Sequence, residues 1–426
     1  MSIVASVKRA IRAVVPAPIF SRALSFYHFS LALLGALYYG YPSRYLSVIG
    51  VTGTKGKTST TELVNAIFEE AGHATALNNS IRTKIGGVSN QNAAGRSMPG
   101  RFFLQKFLHD AVKAGCTAAI IEMTSEGARQ HRHRFIDLDA LVFTNLAPEH
   151  IESHGSYEAY ADAKFEIGRG LARSRKRPRI VVANADDAES VRYLTLPVEH
   201  ALPFALSAHA PWSSDENGGH FSFDGGDVAV RMPGEFSLKN ALAAAVLARA
   251  FNIKPHTIAA ALGKVDRIPG RADRVEEGQD FIVVVDYTHT PDSLKALCDA
   301  YGARKKICIL GSAGGGRDTW KRPVMGKVAE DNCAHVILTN DDPYDENPET
   351  IIAAIRAGMR TEPEVIMDRR AAIRRGIELA RTGDAVLITG KGIDPITGPG
   401  GVKIPWNDAE VAREEIRKLI PAKAVL

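Results

Sequence analysis

After a short basic segment the chain carries an uncharged apolar stretch and then alternates short β-branched runs with segments of helical spacing. Tyr45 to Val51, Ala118 to Met123, Ala140 to Thr144 and Ile180 to Asn184 are brief apolar runs, the pattern of strands buried on both faces. Between them, Arg101 to Ala114 repeats its apolar positions at a helical period. Strands separated by helices predict a parallel sheet, so this part reads as an α/β domain. From about Leu202 to Met232 the pattern shortens into runs such as His220-Phe-Ser-Phe and Val228-Ala-Val, which predicts a small antiparallel excursion inside the same domain. An alanine-rich helix follows at Ala241 to Phe251. Beyond Ile268-Pro-Gly-Arg-Ala-Asp-Arg274, strands recur at Phe281 to Tyr287, Lys306 to Leu310, Val336 to Thr339, Glu364 to Met367 and Ala385 to Thr389. That spacing predicts a second, Rossmann-like doubly wound sheet.

The uncharged stretch itself, Ala23 to Tyr41, follows Lys8, Arg9, Arg12 and Arg22. It is about as long as the roughly 20 residues a bilayer span requires, and its tyrosines and basic flank suit a membrane interface. It lacks a small-residue cleavage site and does not read as a secretory signal. Three placements fit: a helix docked on the domain that follows, contact with a membrane surface, and a span. Docking ranks first, and Ser25, His28 and Ser30 weigh against the span.

Composition changes this picture little. A length of 426 residues allows two or three domains, and 45% apolar with 24% charged residues is a globular balance that excludes general disorder. A net charge of +5 is modest; it favours anionic small substrates or a membrane surface and does not call for nucleic acid. The basic run Arg173 to Arg179 reads as a solvated loop. Cys116, Cys298, Cys308 and Cys333 have no metal-ligand spacing and read as reduced thiols of a cytoplasmic protein.

Chemistry enters with Gly53-Thr54-Lys55-Gly56-Lys57-Thr58-Ser59, placed between the first strand and a helix-compatible segment. Small residues let backbone N–H groups close around an anion, and the helix offers its positive end. Lys57 can reach the outer phosphates and Thr58 can hold Mg²⁺. Val51 stands where the strict pattern has glycine, but strand, turn and helix are in the right order for a nucleoside-triphosphate loop.

Past this loop, a series of separated motifs over residues 45 to 412 resembles the Mur ligase superfamily, ATP-dependent amide-bond ligases of cell-wall synthesis. Within it the chain is most similar to the UDP-N-acetylmuramoyl-tripeptide synthetases, which add a diamino acid to a muramoyl dipeptide. The loop fits the family's Gly-Thr-x-Gly-Lys-Thr. Ile121-Glu122-Met123-Thr124-Ser125-Glu126 looks like the strand-end segment whose glutamate, here Glu122, binds Mg²⁺; Ser125 and Arg132 match acceptor contacts. Phe143-Thr-Asn-Leu-Ala-Pro-Glu149-His150-Ile-Glu152-Ser-His154 resembles the motif whose first histidine, here His150, is a second metal contact, with Glu149 and Glu152 in place of aspartates. In Tyr160-Ala-Asp-Ala-Lys164, Lys164 matches the lysine that the family carbamylates with CO₂. The resemblance thus implies a metal set of Thr58, Glu122, His150 and Lys164.

The remaining nucleotide contacts are matched by Asn240 in Pro233-Gly-Glu-Phe236-Ser-Leu-Lys-Asn240, by Arg271 in Pro269-Gly270-Arg271, and by Asp286 at the head of Asp286-Tyr287-Thr288-His289-Thr290-Pro291-Asp292. Gly311-Ser-Ala-Gly314-Gly315-Gly316-Arg317-Asp318 is similar to the second domain's glycine-rich turn. The amino-acid motif reads Asn340-Asp341-Asp342-Pro343-Tyr344, joined by Lys391 and Asp394. Enzymes of this family that take meso-diaminopimelate present Asp-Asn-Pro-Arg there, with the arginine forking onto the distal carboxylate. Tyr344 cannot do so, which leans the choice towards lysine or another diamino acid lacking that carboxylate.

The expectation is therefore an α/β protein in three parts: an N-terminal helical segment (1–44), a central P-loop ATPase domain (45–266) and a C-terminal Rossmann-like domain (267–426). The resemblance implies an ADP-forming ligase working through an acyl phosphate on a muramoyl-peptide-like acceptor, with ATP and Mg²⁺. The family's full-length members carry an N-terminal UDP-binding domain, which residues ahead of the loop do not match; Ala23 to Tyr41 is expected to pack beside the acceptor cleft, its tyrosines on the acceptor or at the membrane. Two alternatives remain: a folylpolyglutamate- or cyanophycin-type ligase, and a nucleotide-binding, membrane-tethered scaffold without turnover.

Overall fold

The computed structural model describes residues 17–92 and 97–423; Lys8, Arg9 and Arg12 lie outside them. Contacts divide the chain into two compact units, one of Met1–Leu146, Glu158–Phe204 and Ala243–Ile253, the other of Ala147–Tyr157, Ala205–Leu242 and Lys254–Leu426.

In chain order the first unit begins with helix α1 (Ala17–Tyr38), strand β1 (Ser47–Thr52), helix α2 (Lys57–Glu70), strands β2 (Thr75–Asn78), β3 (Arg82–Ile85) and β4 (Val88–Gln91), and helix α3 (Arg101–Lys113). β5 (Ala118–Glu122), α4 (Ser125–Arg129) and β6 (Ala140–Phe143) follow. Helix α5 (Ile151–His154) belongs by contacts to the second unit, and α6 (Tyr157–Ala172) then leads to β7 (Ile180–Asn184), α7 (Ser190–Leu194) and β8 (His200–Phe204). The sheet runs β4-β3-β2-β5-β1-β6-β7-β8, with β1 parallel to both β5 and β6. β1 is buried between neighbours because every residue from Val48 to Thr52 is buried.

The sequence reading missed β2, the β3–β4 hairpin and β8. β3 is mostly polar and half-buried and β4 is exposed throughout, so no apolar alternation marks them. β8 carries Pro203, which removes a backbone donor and suits only the edge position that this strand takes.

Among the described residues the second unit holds three sheets, the smallest an antiparallel pair of Ile396–Thr397 with Lys403–Ile404. The three-stranded one, β9 (Trp212–Asp215), β10 (Gly218–Phe223) and β11 (Gly226–Val230), is the expected antiparallel excursion. Contacts group it with the second unit; Arg304 Nε donates to Glu216 at 2.6 Å and Arg274 Nη1 to Asn217 at 3.1 Å. Helices α8 (Glu235–Ala250) and α9 (Pro255–Lys264) lead to the larger sheet, formed by β12 (Asp273–Arg274), β13 (Ile282–Asp286), β14 (Lys306–Leu310), β15 (His335–Leu338), β16 (Glu364–Val365) and β17 (Ala385–Thr389). Its order is β12-β13-β17-β14-β15-β16, parallel from β13 to β16. Apolar clusters cover both faces: Leu294, Cys298, Leu310 and Ile355 on one, Val285, Ile309, Ile373 and Ile416 on the other. All four cysteines are free thiols.

Candidate nucleotide, metal and amino-acid sites

In the first unit the turn after β1 is braced from outside itself. Thr54 N–H donates to the Asn145 carbonyl at 2.8 Å, Lys55 N–H to Asn145 Oδ1 at 2.9 Å, and Thr144 Oγ1 to the Lys55 carbonyl at 2.6 Å. Thr54 Oγ1 and the Tyr160 hydroxyl are 3.0 Å apart. The brace requires glycine at one point: Gly53 has φ +145°, and a Cβ there would lie 2.0 Å from Thr144 Oγ1. Gly56 caps α2 with φ 79°, so the first N–H groups of a fourteen-residue helix face the turn.

Charge is set around this frame. Lys57 Nζ donates to the Thr54 carbonyl at 2.9 Å, and Lys164 Nζ, 2% exposed, donates to the Gly53 carbonyl at 2.6 Å and lies 4.8 Å from the Tyr160 ring. Glu122, at the end of β5 and 2% exposed, accepts from Thr58 Oγ1 at 2.9 Å and from Ser80 N–H at 3.0 Å. Thr58 Oγ1 and Ser80 Oγ are 2.9 Å apart. A buried carboxylate whose described partners are neutral donors, set beside two hydroxyls, is an all-oxygen environment that fits Mg²⁺. Among the described residues no group of three or more His, Cys, Asp and Glu side chains gathers, which sets this place apart from a transition-metal cage.

Of the four metal candidates, Thr58 and Glu122 touch and Lys164 joins the same turn, whereas His150 belongs to the other compact unit. There it adopts φ 57°, and its N–H and that of Ile151 donate to Asp318 at 2.8 and 3.0 Å. Ser80, Asn145 and Asp318 are participants that the sequence reading left without a role; no local pattern marks them, because their partners are distant in the chain.

Ser125 opens α4 behind the Thr124 cap, whose side chain accepts from Gly127 N–H at 3.1 Å. Arg132 donates to the Met98 carbonyl and, at 2.7 Å, to Gln130 Oε1. Arg101 donates to the Gln130 carbonyl at 2.9 Å and also to His28 Nδ1 of α1. Helix α1 thus reaches Arg132 through Arg101 and Gln130, and meets the same segment directly where Ser25 Oγ lies 2.8 Å from His131 Nε2.

In the second unit Arg271 lies 4.4 Å from the Tyr287 ring, and Asp286 accepts from Ala272 N–H at 2.6 Å and from the Thr288 hydroxyl. Asn240 is buried in α8. Lys391 Nζ donates to Asp342 at 2.8 Å and stands 4.0 Å from Asp341. Asp342 also accepts from Thr397 N–H at 2.5 Å. Burial pushes the Asp341 carboxyl up to about 6 against the pull of Lys391 and Arg369, and Asp394 is raised, again by burial. Arg317 of the glycine-rich turn lies 4.6 Å from the Tyr344 ring.

A phosphate-binding turn with a buried carboxylate beside it, on one mostly parallel sheet, and a second doubly wound sheet carrying paired acids and a lysine define a nucleotide-dependent group-transfer enzyme. Residues 51–248 match the Mur ligase middle domain and residues 270–392 the Mur ligase glutamate ligase domain. The chain is 35% identical to the UDP-N-acetylmuramoyl-L-alanyl-D-glutamate–2,6-diaminopimelate ligase of Syntrophomonas wolfei, covering 91% of this chain and 82% of that one. It is 36% identical to a UDP-N-acetylmuramyl-tripeptide synthetase of Roseiflexus, covering 92% and 82%. A solved UDP-N-acetylmuramoyl-L-alanyl-D-glutamate–2,6-diaminopimelate ligase superposes with TM-score 0.61 at 29% identity over 88% of this chain and 79% of that one. Folylpolyglutamate synthase of Mycobacterium tuberculosis shares the fold, with TM-score 0.67 at 16% identity over 92% and 95%. The chain belongs to the Mur ligase family and is an ATP- and Mg²⁺-dependent amino-acid ligase of peptidoglycan precursor synthesis.

Proposed function

We propose that this ligase adds a 2,6-diamino acid to a muramoyl dipeptide acceptor. The observation that carries the reading is Glu122 held on Thr58 of the phosphate turn, with Lys57 and Lys164 on the same turn. In this reading Gly53, Thr54, Lys55, Gly56, Lys57, Thr58 and Ser59 bind the ATP phosphates, Asn240 the base, and Arg271 and Asp286 further parts of the nucleotide. The acceptor carboxylate attacks the γ-phosphorus, ADP leaves, and an acyl phosphate forms. The amine of the incoming amino acid then attacks the acyl carbon, phosphate leaves, and the amide remains. Mg²⁺, held by Thr58, Glu122 and, in family manner, His150 with a carbamylated Lys164, would neutralise phosphate charge. Lys57 and Arg271 add positive charge where it develops on the transferring phosphoryl group, and the turn positions that group in line.

Ser125 and Arg132 are assigned to the acceptor, with α1 steadying Arg132 through His28, Arg101 and Gln130. Asp341, Asp342, Tyr344, Lys391 and Asp394 are assigned to the amino acid, the acids receiving its ammonium groups. Two of the relatives above are named for 2,6-diaminopimelate, and Arg317 over Tyr344 brings a guanidinium to the motif by another route, which favours that amino acid. Tyr344 itself, in place of a forking arginine, favours lysine. The domain limits of 1–44, 45–266 and 267–426, small-molecule substrates without nucleic acid, and work in the cytoplasm against the inner membrane face complete the reading. Amine-dependent ADP release with muramoyl dipeptide, with and without its UDP group, tested against diaminopimelate and lysine, decides it. Release with neither amino acid, or only with a folate or cyanophycin-type acceptor, overturns it.

A further inference from the structure

Helix α1 is inverted relative to a helix that simply docks on a domain. The side it turns to α3 carries small residues: Ala32 and Ala36 are buried, and a Cβ at Gly35 would lie 3.6 Å from the backbone of Phe102. The opposite side carries the large ones. Ile19, Phe26, Leu34 and Leu37 are 59, 73, 53 and 54% exposed, and Ile19, Phe26 and Leu37 recur at helical spacing along one line. Tyr27 and Tyr38 flank that line at 53 and 77%. No charged residue interrupts α1 after Arg22. A contiguous apolar face of this kind marks an interaction surface rather than ordinary surface scatter.

We infer that this face is a lipid-surface anchor, selective for anionic headgroups, which deepens the peripheral placement proposed above and rests on it. Charge chooses the occupant. Lys8, Arg9, Arg12, Arg22 and Arg44 are the charged residues before Lys55, and the first acid of the chain is Glu62. A basic segment joined to an apolar helix face is drawn to anionic lipid by both forces together. A second copy of this chain brings the same positive segment and is repelled. The helix lies on the surface and does not cross it: among the described residues no helix is long and apolar enough to span a membrane. Tyr27 and Tyr38 suit the headgroup level, where an amphipathic ring keeps its hydroxyl in water. The back of the same helix holds Arg101 through His28, so anchoring leaves the contact towards Arg132 in place.

The test is co-sedimentation of the full chain with phosphatidylglycerol-containing vesicles and with pure phosphatidylcholine vesicles, at low and high salt. The wild-type chain is expected to bind the anionic vesicles at least tenfold more tightly, with the preference shrinking in high salt. Phe26→Asp with Leu37→Asp should lower that binding at least tenfold while MgATP affinity stays unchanged. Because that double variant faces away from α3, MgATP binding also reports that it is folded. Independently, Leu37→Trp should be quenched by brominated lipid. Binding to neither vesicle removes the peripheral placement altogether. Vesicle binding that survives the double variant, with Leu37→Trp unquenched, keeps the placement and overturns this face. Equal binding to both vesicle types overturns the headgroup selectivity, and a dimer that the double variant dissolves reassigns the face to self-association.

Discussion

The phosphate turn of the first unit and the acidic motif of the second handle charge in opposite ways. Around the turn, Glu122 is met by a hydroxyl and an amide, and Lys57 by a carbonyl, all neutral partners. In the second unit the charges are matched in place: Lys391 with Asp342 at 2.8 Å, Arg322 with Glu346 at 2.6 Å, Arg369 with Asp408 at 2.7 Å, and His289 beside Glu149 at 2.5 Å. A ligand's charge is needed at the turn and not at the acidic motif. A buried carboxylate and a lysine held by weak neutral partners gain most when a metal and phosphates arrive. A network that is already neutral holds a shape and selects among small differences in its guest.

Removing the charge held ready at the turn should have the largest effect. Lys57→Ala should lower ATP turnover about a hundredfold or more, since one cationic contact to the transferring group is worth a few kcal/mol. ADP release at saturating substrates measures it, and wild-type turnover in the folded variant sinks the ligase reading. Next in size is Lys164→Ala. If Lys164 carries a carbamate, the variant should be nearly inactive and partly rescued by a short carboxylic acid that supplies the missing oxygens. Activity unaffected by both CO₂ depletion and the substitution would leave Lys164 as a brace for the Gly53 carbonyl.

The two regions were also unequally legible in the sequence. Gly53 to Thr58 could be read because a turn between strand and helix is dictated locally, whereas Glu122 was singled out only by its resemblance to the family's strand-end segment. The β3–β4 hairpin could not be read, since β3 buries the polar Lys84 rather than an apolar face and β4 is exposed throughout. Neither could Ser80, which meets Glu122 across 42 positions of chain, nor Arg317, which reaches Tyr344 only once the glycine-rich turn is folded beneath it. Helix α1 was expected from its missing charges, but the inward small residues and outward aromatic ones needed the fold to show them. The antiparallel sheet β9–β11 was legible as an element, while its grouping with the second unit rests on Arg304 and Arg274, distant in sequence.

A smaller effect sharpens the comparison from the second unit. Gly390 has φ +108°, and a Cβ there would lie 2.2 Å from Asp341 Oδ2. Gly390→Ala should cost about 1–3 kcal/mol through backbone strain and displacement of that carboxylate. Thermal unfolding measures the loss, and ADP release measured against amino-acid concentration should show a raised KM. An alanine variant with unchanged KM would detach Asp341 from the amino-acid site.

The smallest effect is a pH dependence whose sign follows from burial. The Asp341 carboxyl is raised to about 6, first by burial, with Asp342 and Asp408 adding repulsion and Lys391 and Arg369 opposing. A carboxyl raised on folding binds its proton more tightly in the folded chain than in the unfolded one. Its favourable contribution is therefore present below the ordinary aspartate value of about 4 and is lost as pH rises towards 6. Asp341→Asn removes that titration. The melting temperature of the variant relative to the parent should accordingly climb by a few degrees, about 1–2 kcal/mol, between pH 4.5 and 6.5. Taking the difference isolates Asp341, because the His133 imidazole, pushed down to about 3 by burial, titrates alike in both proteins. A relative melting temperature that is flat over this window would mean that Lys391 and Arg369 hold Asp341 ionised throughout, and the second unit would then be charge-matched at every acid of its motif.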